Sequence, residues 1–250
     1  MTAPNSHLPL NSDDLTEVTR IFHRLKRGDS LTQPDLDELV RYWEPKIHPD
    51  IKDRSENFVI TRPDASTTGV VGPRWIFHLL GLRHRAVEIG FHTESGLIVL
   101  QRRSATKTDW PDMPDMAVAG HIPQNPDGSD ISFEEGARKE IEEEMGLAQT
   151  DEVANLGEGR LQLVGMPYNS LDMQEQRNPP YYNAEVRQIF GGTLTGLALS
   201  RIRFTDNEVS GILLVTPESA WDMLARHEIA SGMRYSLPRY LDWLELQRRM

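Results

Sequence analysis

Read from the N-terminus, the apolar residues of this chain first recur at helical spacing. Leu15, Val18, Ile21, Phe22 and Leu25 share one face of a helix expected over residues 12–26, opening at Ser12 and punctuated by Gly28. A second helix follows, capped by Thr32, with Pro34 in its first turn and Leu36, Leu39, Val40 and Trp43 on its apolar face before the stop at Pro45. From Asn57 the period shortens. Residues 58–60 read as a short strand, and a turn-rich stretch runs through Gly69 and Pro73. Val87, Ile89 and Phe91 then alternate with Ala86, Glu88 and Gly90. With a turn at 93–96 and a returning strand at 97–100, residues 86–100 read as an antiparallel hairpin. Further strands are expected around 161–165, 186–190 and 212–215, with the Pro- and Tyr-bearing residues 166–184 as a loop near the pocket. Thr216 and Pro217 open a helix reaching about Arg226, and Pro238 opens a terminal one. Residues 1–10 carry no such pattern and are expected to be mobile.

One helix carries chemistry. In residues 132–147, SFEEGARKEIEEEMGL, Ser132 is placed as an N-cap, Glu134 and Glu135 suit the first turn, and Gly146 can end the helix left-handed. Phe133, Ala137, Ile141 and Met145 recur at every fourth position and form an apolar stripe. An α-helix advances roughly 100° per residue, so with Ile141 at zero Glu144 falls near about −60°, Glu140 near about −100° and Glu143 near about −160°. The three share one sector beside the stripe, while Glu142 faces away. Carboxylates crowded at the margin of a buried face repel one another, and either a counter-cation or a proton must relieve them. Mg²⁺ suits such a set, since it takes a few carboxylates together with water and substrate phosphate. The competing reading is an acidic solvated face balanced by Arg138 and Lys139.

The segment containing this helix, AGHIPQNPDGSDISFEEGARKEIEEEMGL at 119–147, resembles the Nudix box, G-x5-E-x7-R-E-U-x-E-E-x-G-U with U a bulky apolar residue. Glu140, Ile141, Glu143, Glu144, Gly146 and Leu147 fall in register. Lys139 stands where Arg is usual, keeping the charge but lacking the planar fork. Ile131 stands at the first Glu, with Asp130 one position early. The spacing from Gly120 is about five residues too long, an insertion expected within 124–128. Residues 81–123 resemble the branch of the Nudix superfamily that includes isopentenyl-diphosphate isomerase and several hydrolases. FTDNEVSGILLVTPE at 204–218 resembles that branch's acidic turn and final strand. The resemblance spans about residues 57–225.

It implies an α+β fold, a Nudix-type α/β/α sandwich with a mixed β-sheet over residues 57–250, with residues 1–56 as an N-terminal helical extension. It also implies metal-dependent hydrolysis of a diphosphate linkage, in a nucleoside diphosphate linked to another moiety or a related organic diphosphate. Metal-activated water attacks phosphorus in that reaction. Mg²⁺, or Mn²⁺, would sit on Glu140, Glu143 and Glu144, with Glu143 and Glu144 the strongest ligands, Glu140 a ligand or base, and Glu208 a further carboxylate and alternative base. Gly120 would let the backbone approach phosphates, and Arg102, Arg103 and Lys107 could hold substrate anions. Trp110, Tyr181 and Tyr182 are aromatics that either stack on a planar group or pack on the core.

Three other readings stand beside this one. His84, His121 and Glu208 fit a second metal site of the isomerase kind, yet those enzymes use a cysteine where this chain has Ala119, and alanine cannot move a proton. RRSATKTDWP with Lys139 resembles Nudix domains associated with thiamine pyrophosphokinases, implying a thiamine-diphosphate-type substrate, with a prenyl diphosphate as the other alternative. A Nudix fold retained as a ligand sensor or interaction module is the non-enzyme reading.

Composition narrows the partners. A formal charge of −11 argues against general affinity for nucleic acid, so an anionic substrate must be met by metal or by local cations. The absence of cysteine excludes disulfides, thiolate nucleophiles and Cys-based zinc sites. No apolar run has the length of a membrane span and the N-terminus lacks a signal-peptide pattern, so no membrane partner and a cytoplasmic location are expected. The helical pair of the extension is open to three roles: covering the core, binding a partner, or forming a homodimer.

Overall fold

The computed structural model of the chain describes residues 9–47, 56–107, 110–125, 127–147, 161–204 and 207–249. It divides into two compact units: residues 1–85, 123–130 and 169–186, and residues 86–122, 131–168 and 187–250.

In the first unit, α1 (Ser12–Lys26) and α2 (Gln33–Trp43) form where the periodicity places them. Helix α1 opens at Ser12 as expected, and its cap is Asn11, whose side chain accepts the Asp14 N–H at 2.9 Å. Thr32 and Asp35 form a reciprocal capping box on α2. Leu10, expected to be mobile, is buried, and its backbone N–H and carbonyl both pair with the Asn178 side chain at 2.9 Å. The rest of that expectation, residues 1–8, lies outside the described residues. The turn-rich stretch is in fact β2 (Thr67–Pro73), antiparallel to β1 (Asn57–Thr61), followed by α3 (Arg74–Leu80). Every residue from Trp75 to Leu80 is buried, and a helix covered all round shows no amphipathic period. The loop expected over 166–184 is largely β8 (Tyr168–Gln174) paired with β9 (Tyr181–Leu194), and Pro179 and Pro180 fall in the connection between them. Val18, Phe22, Leu36 and Trp43 from the helical pair join Phe58, Ile76, Phe77, Leu80 and Tyr182 in one core.

In the second unit, β3 (His84–Thr93) and β4 (Ile98–Arg103) make the expected hairpin. The sheet runs in the order β10 (Val209–Val215), β4, β3, β9, β7 (Gln162–Leu163), with β5 (Pro114–Met116) on β4 and β6 (Val118–His121) on β3. Alternation sends successive side chains to opposite faces. Val87, Ile89, Phe91 and Val99 meet Ala137, Ile141 and Met145 of α4 (Phe133–Met145) on one face. After α5 (Gly196–Arg201) and α6 (Pro217–Ala225), α7 (Met233–Arg249) covers the other, where Met233, Leu237, Tyr240 and Leu244 meet Ile98, Leu100 and Ile189. The approach of α7 is close: a Cβ on Gly90 would lie 2.4 Å from the Tyr240 ring, and one on Gly191 2.5 Å from Trp243. The helix starts at Met233, ahead of the expected opening, and Pro238 sits inside it. A sheet between helices results, the α+β arrangement expected. Among the described residues no helix is long and apolar enough to cross a membrane.

Candidate active site

Helix α4 is built as its sequence reads. Ser132 accepts the Glu135 N–H at 3.1 Å, Glu135 accepts the Ser132 N–H at 2.9 Å, and Gly146 closes the helix at φ 62°. The three carboxylates grade outward with their angle from Ile141. Glu144 is 4% exposed, Glu140 9%, and the Glu143 side chain 50%.

What holds the two inner carboxylates comes from the strands. Pairing of β3 with β6 sets Gly120 opposite Val87 and Ala119 opposite Glu88. Gly120 has no side chain to spare: a Cβ there would lie 2.1 Å from the Glu140 carboxyl carbon, so the missing side chain is the space the Glu140 carboxylate occupies. The Ala119 N–H donates to Glu144 Oε2 at 3.0 Å, and the Gln101 side-chain amide donates to the same oxygen at 3.3 Å. Burial, then the Glu140 charge, push the Glu144 carboxyl well above the usual carboxylate range; the Ala119 N–H and Lys107 pull it back, and Asp115 pushes it further. An acid raised by burial and by a neighbouring carboxylate is the arrangement a divalent cation would relieve, and hard oxygen donors are the set Mg²⁺ or Mn²⁺ takes.

The cations proposed from sequence each meet a carboxylate. Lys107 Nζ donates to Glu208 Oε2, while the Ser104 N–H donates to the Glu208 backbone carbonyl at 2.8 Å, so the loop after β4 and the turn before β10 are tied together. Arg103 donates to Asp115 at 3.0 Å in a nearly buried pair. Arg102 lies 3.6 Å from Asp112, both of them more than half exposed. Lys139, in the place of the usual Arg, reaches Glu143 at 3.4 Å along the helix. Trp110 is exposed, whereas Tyr182 is buried in the first unit's core and stacks on Phe22 at 4.0 Å. Asp130 bonds Thr67 at 2.7 Å in the first unit, and Ile131 packs on the core beneath α4. His84, fully buried, stacks on Phe58 at 4.7 Å, places Nδ1 3.1 Å from the Leu82 carbonyl, and lies 3.9 Å from Glu185. His121 ends β6 opposite Ala86.

Sequence reading missed Gln101, Asp115 and the Ala119 amide. Residues 98–100 are apolar without alternation, so nothing marked Gln101 as facing α4 alongside Val99. A backbone N–H leaves no trace in composition at all.

Comparison with known proteins gives the family of the chain. The family described as NUDIX domain matches residues 82–240. The chain is 31% identical over 137 residues to the uncharacterized Nudix hydrolase YfcD of Shigella flexneri, covering 55% of this chain and 61% of that protein. It thus spans about three fifths of the length of that curated relative. It is 38% identical over 93 residues to Nudix hydrolase 3 of Arabidopsis thaliana, covering 37% of this chain and 11% of the plant protein. The crystal structure of DR0079 from Deinococcus radiodurans superposes with a TM-score of 0.52 at 17% identity, over 74% of this chain and 99% of that one, a likeness of fold.

Proposed function

The chain belongs to the Nudix domain family, and from that premise we propose that it is a metal-dependent hydrolase of a diphosphate linkage in a small organic molecule. The observation that carries the reading is the buried Glu140–Glu144 pair beside exposed Glu143 on one helix, with Gly120 cleared for the Glu140 carboxylate.

Glu140, Glu143 and Glu144 would hold Mg²⁺ or Mn²⁺. Divalent metal at such a site lowers the pKa of a bound water and offsets the charge that develops on phosphoryl oxygens. The protein's own part is to fix the ligands: the sheet positions Glu144 through the Ala119 and Gln101 donors, and α4 supplies all three carboxylates from one rigid element. Glu208, ion-paired with Lys107, is the carboxylate we assign to take the proton of the attacking water. Arg102, exposed and only loosely paired, is the cation we assign to the substrate phosphates, with Lys107. Arg103, tied to Asp115 in a nearly buried pair, contributes by shaping the loop that carries them. The division into an extension, 1–56, and a hydrolase domain, 57–250, is our reading of the chain order. A sensor module is the second reading, favoured by Lys139 in the Arg position of the box, where it meets Glu143 without a bidentate fork.

The deciding experiment is release of phosphate or monophosphate from nucleotide, nucleotide-sugar, prenyl and thiamine diphosphates, with Mg²⁺ and with Mn²⁺. Turnover of one class is expected, falling by about 100-fold or more in Glu143→Gln. No turnover of any class, with metal binding intact, would make the site a sensor.

A further inference from the structure

Glu144 is held in an asymmetric way. Both donors that reach its carboxylate, the Ala119 N–H at 3.0 Å and the Gln101 side-chain amide at 3.3 Å, fall on Oε2. Among the described residues Oε1 accepts no hydrogen bond. The terminal torsion of a glutamate is broad and roughly two-fold, so a carboxylate on a helix does not choose its own orientation. Here two donors from two different strands choose it, one from β6 and one from β4.

Gln101 is 2% exposed and lies in the middle of β4, opposite Asp115 on one side and Ile212 on the other. Its backbone is therefore fixed by two neighbouring strands, and its side chain sits on the α4 face with Val99. A carboxamide is the group this position asks for. Its NH₂ end donates to the Glu144 carboxyl without adding charge to a site that already contains Glu140, Glu144 and Asp115 near one another. A carboxylate of the same length would repel Glu144, and an apolar side chain would leave the Ala119 N–H as the sole donor.

We infer that Gln101 is the positioning residue of the carboxylate site, holding Glu144 by Oε2 so that Oε1 is presented to the divalent cation. The inference rests on the metal reading proposed above, and its test separates the two. Mn²⁺ dissociation constants are measured by electron paramagnetic resonance and calorimetry on the full chain, for the wild type, Gln101→Met, Glu144→Gln and the double variant. Methionine keeps the length and most of the volume of glutamine but donates nothing.

Gln101→Met is expected to weaken Mn²⁺ binding by about 10- to 100-fold, the loss typical of an outer partner of a metal ligand. It should leave the thermal midpoint of the metal-free protein close to that of the wild type. In the Glu144→Gln background the same change should weaken Mn²⁺ binding no further, because the residue acts only through Glu144. A purely structural glutamine would give the opposite pattern: a lower midpoint, with Mn²⁺ affinity unchanged or lowered equally in both backgrounds. Either result overturns the inference. If the wild type itself binds no Mn²⁺, the metal reading falls and this inference with it. A second measurement needs no variant to fold: the Gln101 side-chain amide resonances in the wild type should shift on Mg²⁺ titration with the midpoint of metal binding. Resonances that stay put as the site saturates would sink the inference as well.

Discussion

His92 shows how a single side chain in this fold ties stability to pH. It lies on the α7 side of β3, with Nδ1 3.0 Å from the Tyr240 hydroxyl and Nε2 2.9 Å from Thr193 Oγ1. Burial, with a smaller push from the Arg248 charge, holds its pKa below the ordinary 6.5. The unfolded chain therefore binds the proton at higher pH than the folded chain does. Stability contributed by this residue is present above about pH 6.5 and is lost as pH falls from there through the depressed folded value. Chemical denaturation of wild type and His92→Gln between pH 5 and pH 8 should show wild type losing stability relative to the variant on the acid side. Parallel curves would mean that the ring is not held neutral. Glu144 is shifted the other way, and comparison with the variant removes its contribution. At this scale the sequence was informative about residue type and silent about partners. It picked out Glu140, Glu143 and Glu144 because their angles follow from helical geometry alone. It had no means to see that Gly120 clears space for Glu140, or that Gln101 and Ala119 meet Glu144, because those contacts join residues far apart in the chain.

Among the elements, α4 has its ends written most plainly in the sequence. The reciprocal Ser132–Glu135 box satisfies two N–H groups that a helix start would otherwise leave unpaired, and it fixes where the carboxylate sector begins. Ser132→Ala should cost about 1 kcal/mol of stability, read as a lower denaturant midpoint with an unchanged slope. A midpoint unchanged within error would show that packing of Ala137, Ile141 and Met145 sets the helix start without the cap. The elements that escaped sequence reading share a cause. Helix α3 is buried from Trp75 to Leu80, β2 carries Gly69 and Gly72, and β8 lies in a stretch whose prolines point to a loop. In α3 the contrast between a wet and a dry face on which periodicity depends is missing, and in β2 and β8 the glycines and neighbouring prolines mask it. Gly72 has its own reason: a Cβ there would lie 2.8 Å from Leu36 Cδ2, so the strand accepts a weak β-former to let α2 come close.

Over the whole molecule, the helical pair that sequence alone left with three roles supplies core to the first unit. Leu36 and Trp43 are fully buried there, and the Phe22 ring both stacks on Tyr182 and fills the place a Cβ would take at Gly81. Removal of residues 1–47 is expected to abolish cooperative unfolding of that unit and to open residues 56–82 to proteolysis. A truncated chain that unfolds as sharply as the full one and resists protease equally would make the pair an appendage. Trp43→Ala alone, losing a fully buried indole, should cost about 3–5 kcal/mol.

The division between what was legible and what was not follows the range of the interactions. The starts and stops of α1, α2 and α4, the β3–β4 hairpin and the carboxylate sector of α4 depend on residues within a few positions of one another, so composition and spacing determined them, and the Nudix box was readable for the same reason. Which donors from the strands meet Glu144, and that Lys107 and Arg103 are paired with acids, were decided only in the tertiary structure. Those outcomes depend on strand register and sheet order, which bring positions 101, 119 and 144 together although no local pattern connects them.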